Sequence, residues 1–488
     1  MNRLMPNNEV PALGHRNKVA LNKAQKGTSS AQTMMSISKP RTFYFLSAVM
    51  YCLLIVCIFT SDLWSWDNDS AGAEIFSAFS GNLLFGRFQI YHLFSGLMLF
   101  LYLYGRFINH KEKNVHGDKN FLKVIFWLYL IPVCILQFFT VYLKNIAKPD
   151  LGINAYSHFF IYLIVVYYIQ DVFFKDSHTR LLNASITILE VIILLRAFYS
   201  IIKYVMGIGP VNPIAGGIRI GKEPDFTDFF CLLFIIAFAR LLFKTEKQKL
   251  YIILHIIGII ASSFIAIFSY RRYFIMEILI AFIIIIYLYY RRKNISKLFI
   301  ALAFFIAAFI LSLILFMGPN RFVGNYYIGR LISSLSLVSD RYESEYGSDT
   351  GHRAEIEDGW NNVKENWMLG ITLFGEERVV RDKTKNWQKG TFVHNAYLEI
   401  WLVYGLLGLI LFIWLYLKSL GLGYFVFFKL KHEAGLILIT FITCQLVKNI
   451  VWPTAIYSIN VTIVYIFLIS MLLRLKKILL IPYKSNLS

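Results

Sequence analysis

Apolar runs of 18 or more residues recur along this chain from Phe43 to Leu473, and each is long enough to cross the ~30 Å hydrocarbon core of a bilayer. Inside lipid no water satisfies the peptide groups, so each run has to close its hydrogen bonds within a helix. Of the 488 residues, 57% are hydrophobic and 16% charged, where a soluble domain carries roughly a quarter charged. The expected fold is all-α, a polytopic membrane helix bundle and not a soluble domain with an anchor.

Charge and cysteine usage exclude other classes. The net charge of +20 is concentrated in short turns between apolar runs. That distribution follows the positive-inside rule and gives no reason to expect nucleic acid. Cys52, Cys57, Cys134, Cys231 and Cys444 all lie inside apolar runs without metal-ligand spacing, as small hydrophobes do. Residues 1–42 carry Arg3, Arg16, Lys18, Lys23, Lys26, Lys39 and Arg41 against Glu9 and lack a signal peptide's apolar core, so they read as a flexible, basic cytoplasmic tail.

About twelve transmembrane helices are expected, near 43–61, 88–106, 121–143, 154–173, 181–205, 225–243, 249–269, 274–290, 298–317, 394–418, 434–452 and 455–473. With the tail inside, the basic connections alternate correctly: Lys111 to Lys119, Lys175 to Arg180, 244-KTEKQK-249, 291-RRKNISK-297, Lys429 to His432, and the basic end at 474–488. Both termini are then cytoplasmic. Membrane helices one to nine occupy 43–317, a large extracytoplasmic loop occupies 318–393, and helices ten to twelve occupy 394–473. One turn breaks the charge rule: 270-YRRY-273 places Arg271 and Arg272 on the outer side of a tight hairpin.

The outer segments hold the chemistry. In 215-AGGIRIGKEPDFTDF-229, glycines surround Arg219; Arg271 and Arg272 follow at the next outer turn. The large loop contains 351-GHRAEIEDGWNNVKENWMLGI-371, spaced as an amphipathic helix with Arg353 near its start, and it closes on His394, with Asn395 and Tyr397 opening the next membrane helix. An arginine at a helix end also serves as a lipid headgroup anchor, and a tyrosine as part of the interfacial belt. Within the spans, Glu190, Arg196 and Glu277 are costly in lipid, which makes them functional candidates. Arg196 either lines the same cavity from beneath or pairs with Glu190 or Glu277.

Several guanidinium forks converging at the outer leaflet suit a lipid-linked diphosphate, because they bind phosphate oxygens bidentately and stay charged. An imidazole at a helix N-terminus is disfavoured in its charged form and is available as a general base. Phosphate clamp plus base describes glycosyl transfer from a diphosphate donor. It calls for no metal and no cofactor.

These residues resemble a known family, the O-antigen ligase and polymerase superfamily of bacterial surface polysaccharide assembly. The family's closing H-N-x-Y-L and G-x-x-G-L motifs stand here as His394-Asn395-Ala396-Tyr397-Leu398 and as Gly405 to Leu409. Arg353 ahead of Trp360, followed by 366-NWMLGI-371, is similar to its arginine–tryptophan and N-P-x-x-G stretches. The segment 269-SYRR-272 is similar to its S-x-S-R turn and points to Arg272 more than Arg271; Arg219, Gly221, Pro224 and Asp225 resemble its R-x-x-G…P-N loop. Trp367, Asp225, Arg271 and Tyr273 depart from the family pattern. The resemblance implies a bundle of about a dozen helices in the bacterial plasma membrane, moving glycan from undecaprenyl diphosphate onto a sugar hydroxyl. It implies His394 as base, with Arg219, Arg272 and Arg353 holding the diphosphate.

The expected function is a polymerase joining lipid-linked repeat units, with a flippase and a chain-length regulator as partners beside the donor and the glycan acceptor. A ligase onto lipid A-core and a protein O-oligosaccharyltransferase share the same motifs. A transporter or flippase fits twelve spans, but such carriers commonly divide into two similar halves, and here the soluble mass is gathered in one loop.

Overall fold

The computed structural model describes residues 40–59, 90–108, 120–130, 150–175, 179–209, 218–221, 225–243, 249–291, 350–368, 370, 393, 395–451 and 458–485. The chain divides at Val49, and Met50–Ser488 forms one unit. The described residues are helical almost throughout and contain no strand. In chain order the helices are α1 (Pro40–Phe59), α2 (Ile90–Ile108), α3 (Phe121–Leu130), α4 (Asp150–Tyr168, extended by a π turn over Ile169–Phe173), α5 (Thr179–Val205) and α6 (Asp225–Phe243). They continue as α7 (Lys249–Phe268), α8 (Arg272–Tyr290), α9 (Thr350–Asn366), α10 (Ala396–Tyr424, with a π turn over Phe425–Lys429), α11 (Glu433–Lys448) and α12 (Ile459–Ser485).

Five stretches are long and apolar enough to cross a membrane: Thr179–Val205, Phe226–Phe243, Lys249–Phe268, Arg272–Tyr290 and Ala396–Lys429. Four further apolar stretches, Ser47–Phe59, Tyr91–Tyr104, Phe121–Leu130 and His158–Phe173, are shorter. About twelve spans were expected, and that number is not reached among the described residues. The expected span at 298–317 and most of the loop at 318–393 lie outside them.

α6 is the centre of this arrangement. Its sequence, DFTDFFCLLFIIAFARLLF, is apolar on every side, and a helix without a polar face has to be covered all round. Phe226 to Ala239 are all buried, with α5, α7, α8 and α11 packed against the helix. After Asp225 at its first position, two charged side chains interrupt it, Asp228 near its start and Arg240 near its end. They are 12 residues apart, about 18 Å along the axis at 1.5 Å per residue.

α10 is interrupted near its start. Gly405 takes φ 68° and ψ −172°, well outside helical values, and it frees the backbone N–H of Leu406. That N–H donates to the carbonyls of Trp367 (3.1 Å) and Met368 (3.2 Å), just beyond the end of α9. Gly370 sits in the break with φ +73°, and a Cβ there would lie 2.6 Å from the Gly405 nitrogen. The indole N–H of Trp401 also donates to Trp367 O, at 2.8 Å. Val363, Val393, Leu398 and Leu402 close a small apolar core beneath, so the amphipathic helix lies on the first turns of α10. The two short glycine motifs noted in the sequence are therefore the two halves of one backbone joint.

Candidate functional site

One end of the helix bundle gathers the starts of α6, α8 and α10 and the ends of α7 and α11. The turn joining α7 to α8 holds Tyr270 at φ 55°, a left-handed conformation that strains a residue with an aromatic side chain. Arg271 occupies the N-cap position of α8, with φ −111° and ψ 111° and no side-chain cap, and Arg272 is the first helical residue. Two cations at a helix N-terminus oppose its dipole. Such an arrangement needs an anionic partner to be favourable. The segment carrying Arg219 docks on the same turn, since Ile220 N–H donates to Phe268 O at 2.9 Å. The structure thus brings the backbone of Arg219 alongside Arg271 and Arg272.

Beneath this turn lies a buried ion pair. Lys448 Nζ is 2.6 Å from Asp228 Oδ1, with both side chains fully buried. The Gln445 amide donates to the same oxygen at 2.5 Å, and Lys448 donates to Thr227 Oγ1 at 3.2 Å. Burying such a pair costs several kcal/mol per ion, recovered only with close geometry and further hydrogen bonds of this kind. Lys448 also lies 5.3 Å from the centroid of the Tyr273 ring, on its face, and the Tyr273 hydroxyl accepts from Arg271 Nη1 at 2.5 Å. Glu277, one turn further along α8, faces Asp228 and Lys448. Among the described residues both of its carboxyl oxygens lack a hydrogen-bond partner, as do Asp228 Oδ2, Gln445 Oε1 and Asn449 Oδ1. A cavity of about 20 Å³ lined by Tyr416, Gln445, Thr462 and Tyr465 has room for a single water.

The start of α10 is seated on the end of α11. Ala396 N–H donates to Asn449 O (2.7 Å), the Asn395 amide to Ile450 O (3.0 Å), and the Tyr397 hydroxyl to Leu446 O (2.8 Å). Asn395 caps the helix by accepting from Leu398 N–H at 3.0 Å, the ordinary use of an asparagine at this position. The buried Glu399 reaches back to Val393 N–H at 3.0 Å. Both chain neighbours of His394 are thereby fixed; His394 itself lies outside the described residues. Arg353 falls in the first turn of α9, which the backbone joint at Gly405 ties to α10.

The remaining candidates have local partners. Arg196 is buried, donates to Ser200 Oγ at 2.8 Å, and lies over the rings of Tyr199 and Phe59. Neither expected ion pair forms: Glu190 is taken by Arg240 (3.1 Å) and His255 (2.6 Å), and no cation is hydrogen-bonded to Glu277. The Tyr397 hydroxyl is spent on holding α11.

Asp228, Lys448 and Gln445 were not singled out from the sequence, and Tyr273 was noted only as a departure from the family pattern. The available signal was the rule that made Glu190 and Glu277 stand out, an ionisable residue inside an apolar run. Asp228 and Lys448 sit near the ends of their runs and pass as flanking charges.

The fold and this end of the bundle define a multi-pass helical membrane protein with arginines and a polar helix start gathered at one end. Residues 231–413, from the first turns of α6 to just past the break in α10, match the family model described as O-antigen ligase. That match supports the O-antigen ligase and polymerase superfamily for this stretch of the chain. The chain gives no significant match to curated proteins.

Proposed function

We propose that this protein is a membrane glycosyltransferase that joins undecaprenyl-diphosphate-linked repeat units into a surface polysaccharide. The observation that carries the reading is the gathering of Arg219, Arg271 and Arg272 at one end of the bundle, with α10, which begins just after His394, seated on the adjoining end of α11. The O-antigen ligase match covers four of the five residues proposed as clamp and base, Arg271, Arg272, Arg353 and His394, and supports glycosyl transfer over transport.

In the proposed reaction His394 takes the proton from a hydroxyl of the acceptor sugar. That oxygen attacks the anomeric carbon of the donor as its bond to the diphosphate breaks, and undecaprenyl diphosphate leaves with the electron pair. Arg219, Arg272 and Arg353, with Arg271 beside them, hold the diphosphate and stabilise the charge that grows on the leaving oxygen. Attack opposite the diphosphate inverts the anomeric centre. Charge neutralisation rests on guanidinium groups, so transfer is expected to survive chelation with EDTA. The reacting end faces outward at a bacterial plasma membrane, both termini face the cytoplasm, and a flippase and a chain-length regulator serve as partners.

Reconstitution with a lipid-linked repeat unit tests the reading. A ladder of products is the expected result. A single transferred species on a lipid or protein acceptor would make the protein a ligase or oligosaccharyltransferase instead, and absence of any glycan transfer would overturn the enzyme reading.

A further inference from the structure

Lys448 and Asp228 both lie outside the stretch that matches the O-antigen ligase family, yet they occupy the junction between its two working parts. On one side, Lys448 lies on the face of the Tyr273 ring, and the Tyr273 hydroxyl accepts from one Nη of Arg271. Held there, Arg271 leaves its Nε without a hydrogen-bond partner. The guanidinium is therefore fixed at one corner by Tyr273, the kind of orientation a bidentate phosphate clamp requires. On the other side, Lys448 is the last residue of α11, and the next two carbonyls, of Asn449 and Ile450, accept the hydrogen bonds that seat the start of α10 beside His394. Asp228 locks this ammonium to the first turn of α6, the most deeply covered helix of the bundle.

We propose that Lys448, fixed by Asp228 and acting through Tyr273 on one side and the end of α11 on the other, is the positioning residue that sets the arginine clamp and the base-bearing helix start in register for a lipid-linked diphosphate. The inference rests on the glycosyltransferase reading above. Lys448 does not touch the substrate. It is fully buried and works by holding Tyr273 and the end of α11, so its loss disturbs two groups on different helices at once. Tyr273 transmits only one of the two effects. That asymmetry separates positioning from general structural support.

The test uses full-length protein in nanodiscs, with undecaprenyl diphosphate as the binding probe, alongside polymer yield in cells normalised to protein level. Wild type is expected to bind the probe. Tyr273→Phe keeps the ring beneath Lys448 and removes only the hydroxyl. It is expected to weaken binding on the order of tenfold, the scale of a lost hydrogen bond to a charged group, without changing the thermal unfolding midpoint. Lys448→Met is expected to weaken binding at least as much and also to stop polymer formation in the protein that remains folded. Wild-type affinity in both variants would overturn the positioning role, as would a Tyr273→Phe variant whose affinity falls only in step with its unfolding midpoint. Failure of wild type to bind undecaprenyl diphosphate would instead sink the donor assignment itself.

Discussion

α6 buries an ionic group near each end, and the two surroundings differ in how the carboxyl oxygens are satisfied. Near its end, Arg240 donates through Nη1 to Glu190 and Thr187 Oγ1 and through Nη2 to Asn183 O, while the other Glu190 oxygen faces His255 Nδ1 at 2.6 Å. Both oxygens of the Glu190 carboxylate are used and three helices are stapled together, while Arg240 Nε and Asn183 Oδ1 have no partner among the described residues. Near its start, Asp228 and Lys448 are paired just as closely, but five acceptor oxygens around them, on Asp228, Glu277, Gln445 and Asn449, have no donor. Two carboxyl groups share one ammonium there. Native interiors rarely tolerate such an excess of open acceptors, and where they do, the site commonly holds a function or an ordered water. The first cluster, with its carboxylate fully used, has the character of a staple. The open one lies under the arginines and beside the start of α10.

This contrast can be broken at several points. The largest effect is expected from His394→Ala, which should abolish polymer formation while membrane levels of the protein stay normal; polymer of ordinary length from that variant would remove the base. Arg240→Met strands the Glu190 carboxylate and is expected to cost about 3–5 kcal/mol of stability, read as a lowered unfolding midpoint in detergent. Its folded fraction should still bind undecaprenyl diphosphate as wild type does. A loss of affinity there matching that of Lys448→Met would erase the distinction between the two ends. Arg353→Lys replaces a planar fork by a point charge, and a loss of polymer of about tenfold with unchanged unfolding is expected; full activity would mean that Arg353 only anchors to headgroups. The smallest effect belongs to Glu277→Gln. It keeps the size and shape of the side chain beside Asp228 and Lys448, so stability should change by less than about 1 kcal/mol. A severe loss of stability or activity would show that the Glu277 carboxylate itself is needed.

Much of this architecture was legible in advance, and the reasons are local. Apolar run length located the helices that became α5 to α8 within a few residues of their observed bounds. The amphipathic spacing of 351–371 located α9, and the His-Asn-x-Tyr motif marked the start of α10, where Asn395 caps the helix. Glycine pairs could be seen but not interpreted. Gly405 and Gly370 meet across 35 residues of chain, and only their contact explains why both positions have to be glycine. Arg196 shows the opposite case. It was recognised as a costly charge inside a span, yet its partner could not be read, since Ser200 and two aromatic rings compete with the carboxylates of Glu190 on the same helix and Glu277 on another.

By itself the sequence determined that this chain is a helical membrane protein and where several of its helices lie, and it offered the arginines and the histidine on which the proposed chemistry rests. Those properties depend on run length, charge and short motifs, which are written along the chain. Only the tertiary structure decided that Asp228 pairs with Lys448, 220 residues apart, that Tyr273 links this pair to Arg271, and that the start of α10 rests on the end of α11. Pairings of that kind depend on which helix ends meet in lipid. A buried charge is stabilised by a neighbour in space, and its sequence shows the charge without the neighbour.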